Sequence, residues 1–213
     1  MELLKRGAEA DLYLEQWHGR RVIIKRRLPK RYRIAELDAM IRGHRTIQEP
    51  NIMHAAKEAG VSTPTIFMVD TDKSKIVMEF VEGKQVKDIL DRLSSEERLS
   101  LSVVVGRMIG RLHRNGIIHG DLTTSNMILT SYGKVVFVDF GLSERSVEVE
   151  PKGVDLHLMK RALNSTHHKH AKACFEAVMK GYSESLGRKE ASKVASKIRE
   201  IEKRGRYVAN RDM

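Results

Sequence analysis

One stretch constrains this chain more than any other. IIHGDLTTSNMIL, residues 117–129, sets a polar loop between aliphatic runs and puts Asp121 and Asn126 inside it. KVVFVDFG follows, an apolar run that ends on Asp139 just before Phe140 and Gly141. Three oxygen-bearing side chains are thus brought together by short strands. A hard cation suits such a place, because Mg²⁺ prefers oxygen ligands and typically takes one or two carboxylates plus substrate phosphates while keeping several waters. Asn126 and Asp139 would hold it, and Asp121 stays free as a base.

The rest of the chain divides by pattern. ELLKRG, ADLYLEQW and RVIIKRRL alternate apolar runs with turns, including His18-Gly19, and predict a strand meander whose third member carries Lys25. From Tyr32 to Ala59 the period becomes helical, with Ile41, Ile47, Ile52, Ala55 and Ala59 on one face and Gly60 as the stop. TPTIFMVD and SKIVMEFV resume as strands. After Gly83 helices dominate: QVKDILDRL, a long helix over about 95–115 announced by Ser94, Ser95, Glu96 and Glu97, and further helices near 153–163, 168–186 and 189–204. The expectation is an α+β chain of two lobes, with residues 1–81 strand-rich, 82–204 helical and 205–213 a basic tail.

Phosphate oxygens beside a cation still need a positive partner, and the strand VIIK ends on Lys25. A lysine in that position must itself be held by an acid, for which Glu49 on the next helix is the candidate. A lone Asp in a loop or Lys on a strand is usually a surface group. Lysine, helix glutamate, loop Asp and Asn, then AspPheGly in that order match the protein-kinase signature.

The match is closest to a small subgroup. RGAEADLY (6–13), VIIKRR (22–27), RTIQE (45–49), KEAGVSTP (57–64), HGDLTTSN, VDFGLS (138–143) and GVDLHLMKRAL (153–163) resemble the PRPK-type atypical kinases, the kinase subunits of the KEOPS complex. The resemblance covers nearly the whole chain. It implies a two-lobed protein-kinase-like fold with a small β-rich N-lobe and a reduced helical C-lobe, binding ATP and Mg²⁺ between them. It implies that Lys25, paired with Glu49, and Gly7 and Ala8 contact phosphates, that the Glu79 carbonyl and Val81 amide hold adenine behind Met78, and that Asp155 starts a helix bracing the catalytic loop. By resemblance the partners are an ASKHA-fold catalytic subunit, other KEOPS subunits and tRNA, in threonylcarbamoyladenosine modification, with serine/threonine kinase or ATPase activity.

Departures from an ordinary kinase are as informative. Gly7, Ala8, Glu9 and Ala10 stand where GxGxxG would cover the phosphates, and Thr123 stands where a lysine would meet the transferred phosphate. Looser cover and slower transfer follow. Gly120 replaces the arginine that would pair with a phosphorylated activation loop, and no AlaProGlu follows AspPheGly, so neither that control nor the usual peptide shelf is expected.

Charge adds a second question. The 213 residues carry a net charge of +11, which suits polyanions or a merely well-solvated surface. KRRLPKRYR (25–33) and RGRYVANR (204–211) are the candidate tRNA-tracking clusters, with a partner-docking face as the alternative. HisHisLysHis at 167–170 is expected to be a polar helix start, and Cys174 a small buried hydrophobe. No apolar run is long enough for a membrane span and the start has no apolar signal core, so the cytoplasm is expected. Two rival functions stand beside the kinase: a small-molecule phosphotransferase of the aminoglycoside or sugar type, and a non-catalytic scaffold for tRNA or a partner. The short basic second lobe argues against the first, and retention of Lys25, Asp121, Asn126 and Asp139 against the second.

Overall fold

Three strands open the chain in the computed structural model: β1 (Glu2–Arg6), β2 (Asp11–Trp17) and β3 (Arg20–Arg26). The structure describes residues 1–30 and 32–209, apart from the side chains of 205–209. His18 and Gly19 take φ of 48° and 76°, the two left-handed positions of a tight hairpin turn whose twist suits the flanking strands. Helix α1 (Ala35–Glu58), then β4 (Ile66–Asp70) and β5 (Lys75–Glu79), complete an N-lobe whose sheet has the order β1-β2-β3-β5-β4. Every neighbouring pair in that sheet is antiparallel.

Helix α1 corrects one expectation. It begins at Ala35 rather than Tyr32, and its buried residues are Asp38, Thr46, Glu49, Ile52, Met53 and Ala56. Ile47 is 51% exposed instead. Asp38 meets Arg33 and Arg42, and Thr46 and Glu49 meet Arg27, with Lys25 also on Glu49, so polar residues are the ones buried there. Counting apolar periodicity cannot see a face of that kind.

The C-lobe runs through β6 (Lys84–Gln85), α2 (Val86–Ile89), α3 (Ser95–Arg114), β7 (Ile117–Ile118), β8 (Met127–Leu129), β9 (Val135–Phe137) and β10 (Glu144–Arg145). Helices α4 (Val149–Thr166), α5 (Ala171–Leu186) and α6 (Arg188–Ala209) follow. Ser94 and Glu97 form a reciprocal capping box at the start of α3, and Gly116, at φ 66°, lies just past its end. β7 pairs with β10, and β8 lies between β6 and β9, so the polar loop 119–126 hangs between two anchored strands. Cys174 is fully buried in α5. Among the described residues, no helix is long and apolar enough to cross a membrane.

The lobe is centred on the crossing of α3 and α5, where glycines let two backbones touch. A Cβ added at Gly106 would lie 1.9 Å from the Val178 carbonyl oxygen, and one at Gly181 would lie 2.0 Å from that of Val103. Gly106→Ala must therefore part the helices. It is expected to lower unfolding free energy by about 1–3 kcal/mol or more, read as a fall in the denaturant midpoint. Gly43→Ala in helix α1, where a Cβ meets nothing within 4 Å and φ is not positive, controls for overpacking and is expected to cost no stability.

Candidate active site

Lys25 sits on β3 with its ammonium between two carboxylates. Nζ donates to Glu49 Oε1 at 2.8 Å and to Asp139 Oδ1 at 2.6 Å. Lys25 and Glu49 are 6% and 2% exposed, while the Asp139 side chain is 44% exposed and faces the gap between the lobes. Burial disfavours the ammonium, but Glu49 and Asp139 outweigh it and lift the Lys25 pKa above its ordinary value. Partial burial likewise opposes the Asp139 carboxylate, and Lys25 overrides it, holding the pKa below the usual range. Asp139 takes φ of 62°, a left-handed conformation that costs a non-glycine residue about 1 kcal/mol or more.

Glu49 also accepts from the Arg27 guanidinium. Arg27 lies one residue past β3 and two after Lys25, so along the extended chain the two share one face. Sequence reading placed Arg27 in a basic surface cluster. The structure corrects this for Lys25 and Arg27, which are buried; Arg26 is exposed, Lys30 donates to the Ala8 carbonyl, and Arg33 pairs with Glu9 and Asp38 at 3.5 Å. Arg31 and the side chains of 205–213 lie outside the described residues, so the tail cluster is not described beyond Arg204, which pairs with Glu150 at 2.7 Å.

The loop from His119 to Asn126 is held from below. Asp155, fully buried, accepts the His119 amide at 2.7 Å and the Gly120 amide at 2.9 Å. Because α4 starts at Val149, Asp155 lies inside the helix rather than at its start. His113 on α3 sits 3.2 Å from Asp155 Oδ2 through Nε2 and 2.9 Å from the Tyr182 hydroxyl through Nδ1. A carboxylate can only accept, so Nε2 carries the proton, and in the neutral ring Nδ1 must accept from Tyr182. Tyr182 gave no signal in sequence.

Within the loop, Asn126 Nδ2 donates to the Asp121 backbone oxygen at 3.0 Å and to Asp121 Oδ2 at 2.8 Å. Its amide oxygen is left for a cation, and with the part-exposed Asp139 it gives an oxygen donor set that fits Mg²⁺. Gly120 has φ of 80°, and a Cβ there would lie 2.2 Å from the Leu142 carbonyl oxygen. An arginine therefore has no room at that position, whatever the control it would bring. Residues after Gly141 are wired in place: Ser143 Oγ donates to His119 O at 2.9 Å, Gln48 Nε2 to Ser143 O at 3.0 Å, and β10 lies along β7.

The remaining expected residues fall as follows. Gly7 and Ala8 are in the β1–β2 turn, closed by the Gly7 amide on Ala10 O at 3.0 Å and tied to α1 by Arg45 on Glu9 at 2.6 Å. Glu79 ends β5, Val81 follows in the link to β6, and Met78 is buried. HisHisLysHis leads into α5 a few residues later than expected: residues 168–170 form a turn with His170 as the N-cap, α5 begins at Ala171, and His167 is buried at the α4–α5 joint, 3.2 Å from the Thr124 hydroxyl of the loop.

His119 supplies a pH dependence. Burial holds its pKa below the ordinary value, although Asp155, Asp139 and Asp121 pull the other way. Below about pH 6.5 the unfolded chain takes up a proton that the folded one resists, so stability falls as pH drops. His157, also lowered by burial, acts in the same direction. Thermal denaturation is expected to show a decline between about pH 6.5 and about pH 5 that is shallower in His119→Gln. An unchanged slope in that variant would contradict it.

Comparison with known proteins agrees with this geometry. The model of the protein kinase domain matches residues 7–170. KEOPS complex subunit Bud32 of Pyrococcus abyssi is 52% identical over 97% of this chain and 96% of its own. A probable bifunctional tRNA threonylcarbamoyladenosine biosynthesis protein of Methanothermobacter thermautotrophicus is 47% identical over 97% of this chain, which spans only 37% of that protein. Among solved structures, the Rio2 kinase of Chaetomium thermophilum in an ADP/Mg²⁺-phosphoaspartate complex superposes with a TM-score of 0.63 at 18% identity, over 95% of this chain and 72% of that one. That likeness speaks for the fold alone. The chain belongs to the protein kinase family, on the branch of the KEOPS subunit Bud32.

Proposed function

We propose that this kinase-type phosphotransferase uses ATP and Mg²⁺ to phosphorylate serine or threonine hydroxyls, its own or a partner's, or to hydrolyse ATP. The observation that carries the reading is the Lys25 ammonium held between Glu49 and Asp139, with Asn126 and Asp121 bonded to each other in the adjoining loop. In this reading Lys25, oriented by Glu49, binds phosphate oxygens in exchange for Asp139. Asn126 and Asp139 hold Mg²⁺, which neutralises charge on the phosphates. Asp121 orients the attacking hydroxyl or water and accepts its proton. The Gly7 and Ala8 turn covers the phosphates, and the Glu79 carbonyl and Val81 amide receive adenine. The division we adopt is 1–81, 82–204 and a basic end, 205–213, whose first five residues continue α6 to Ala209 rather than leaving the helix at 204.

Two features argue for a restricted acceptor. Only residues 142–148 separate Gly141 from α4, which leaves little for a peptide to dock on. Thr123 brings no positive charge to the transferred phosphate, so turnover is slow. By similarity to the KEOPS subunit and the bifunctional tRNA threonylcarbamoyladenosine proteins, the chain acts in a KEOPS-type complex that modifies tRNA; the family resemblance of its motifs adds an ASKHA-fold catalytic subunit as its neighbour there.

Radiolabelled ATP with Mg²⁺, with and without tRNA and the partner subunit, tests this. Asp121→Ala and Asp139→Ala are each expected to cut phosphate release and label transfer by about 100-fold or more, and removal of Mg²⁺ to abolish both. Activity untouched by either substitution would leave a scaffold as the better reading.

A further inference from the structure

We infer that Arg27 is a positioning residue that keeps helix α1 seated whether or not nucleotide is bound, so that Lys25 can exchange Asp139 for phosphate without releasing the helix. The second half of this statement rests on the ATP-dependent reading above, and the first half does not.

Glu49 has two carboxylate oxygens and a separate cation on each: Oε1 faces Lys25 and Oε2 faces Arg27. The two cations are not equivalent. Lys25 is a compact ammonium already divided between Glu49 at 2.8 Å and Asp139 at 2.6 Å, and it is the group that phosphate would claim. Arg27 has no second acid within ion-pair distance among the described residues, and its guanidinium stays protonated at any working pH.

Arg27 also reaches α1 at a second level. Its Nη1 lies 3.4 Å from the Thr46 hydroxyl, one turn before Glu49, and that hydroxyl is oriented by donating to Arg42 O at 2.7 Å. The backbone of Arg27 is pinned in turn, its amide donating to Ser74 O at 3.0 Å, while Arg42 Nη1 from α1 reaches Ser74 Oγ at 3.1 Å. Strand, turn and helix thus close a triangle. Arg27, Thr46 and Glu49 are 3%, 0% and 2% exposed, so water cannot replace a lost partner. If Lys25 alone held Glu49, nucleotide binding and helix position would be coupled. With Arg27 present they are separated.

Hydrogen–deuterium exchange on the full chain, with and without ADP and Mg²⁺, reads the difference in peptides covering residues 42–53. In the wild type these amides are expected to be equally protected in both states. In Arg27→Met they should exchange about tenfold faster without nucleotide while α3 is unchanged, and ADP with Mg²⁺ should restore part of the protection. Wild-type rates in the nucleotide-free variant would overturn the inference, as would a large nucleotide-dependent gain in wild-type α1. Should Arg27→Met fail to fold, Arg27→Lys carries the test: loosening confined to α1 supports the inference, and loosening spread equally over α3 overturns it. If ADP with Mg²⁺ protects nothing in the wild type, the nucleotide reading fails, and the nucleotide-free arm still decides the role of Arg27.

Discussion

A buried ammonium between two carboxylates is the constraint around which this molecule is arranged. Lys25 would be costly to bury alone, and Glu49 and Asp139 make it tolerable, one coming from helix α1 of the N-lobe and one from just past β9 of the C-lobe. The two lobes therefore meet through charge at the point where the proposed chemistry takes place. That arrangement also stores a choice, because Asp139 and an incoming phosphate compete for one cation.

Around this point, freedom has been removed rather than regulated. Asp155 holds two successive amides of the catalytic loop, Gly120 lets the Leu142 carbonyl press against that loop, and Ser143 bonds both to it and to Gln48 of α1. In a kinase controlled by its activation segment those elements move independently. Here each is bonded to the next, which suits an enzyme whose acceptor and timing come from a surrounding assembly.

Much of the site was legible because its chemistry requires particular residue types in a particular order. Lys25, Glu49, Asp121, Asn126 and Asp139 could be named from spacing and family resemblance, and the structure brings Lys25, Glu49 and Asp139 into contact, and Asp121 and Asn126 likewise. What could not be read are groups whose role depends on a partner far along the chain. Tyr182 matters through His113, and His167 through Thr124, and neither pairing leaves a local pattern. Arg27 was readable in part, since it shares a strand face with Lys25, but a dense run of basic residues looks like a surface. The buried face of α1 was read only in part: apolar periodicity found Ile52 and Ala55, but it cannot find a stripe that begins with Asp38 and Thr46.

A crystal structure with Mg²⁺ and a non-hydrolysable ATP analogue tests the exchange at Lys25 most directly. Lys25 Nζ is expected against a phosphate oxygen, with Asp139 turned to the metal beside Asn126 and Glu49 still bound by Arg27. Nucleotide bound elsewhere, with Lys25 still bridging Glu49 and Asp139, would contradict it.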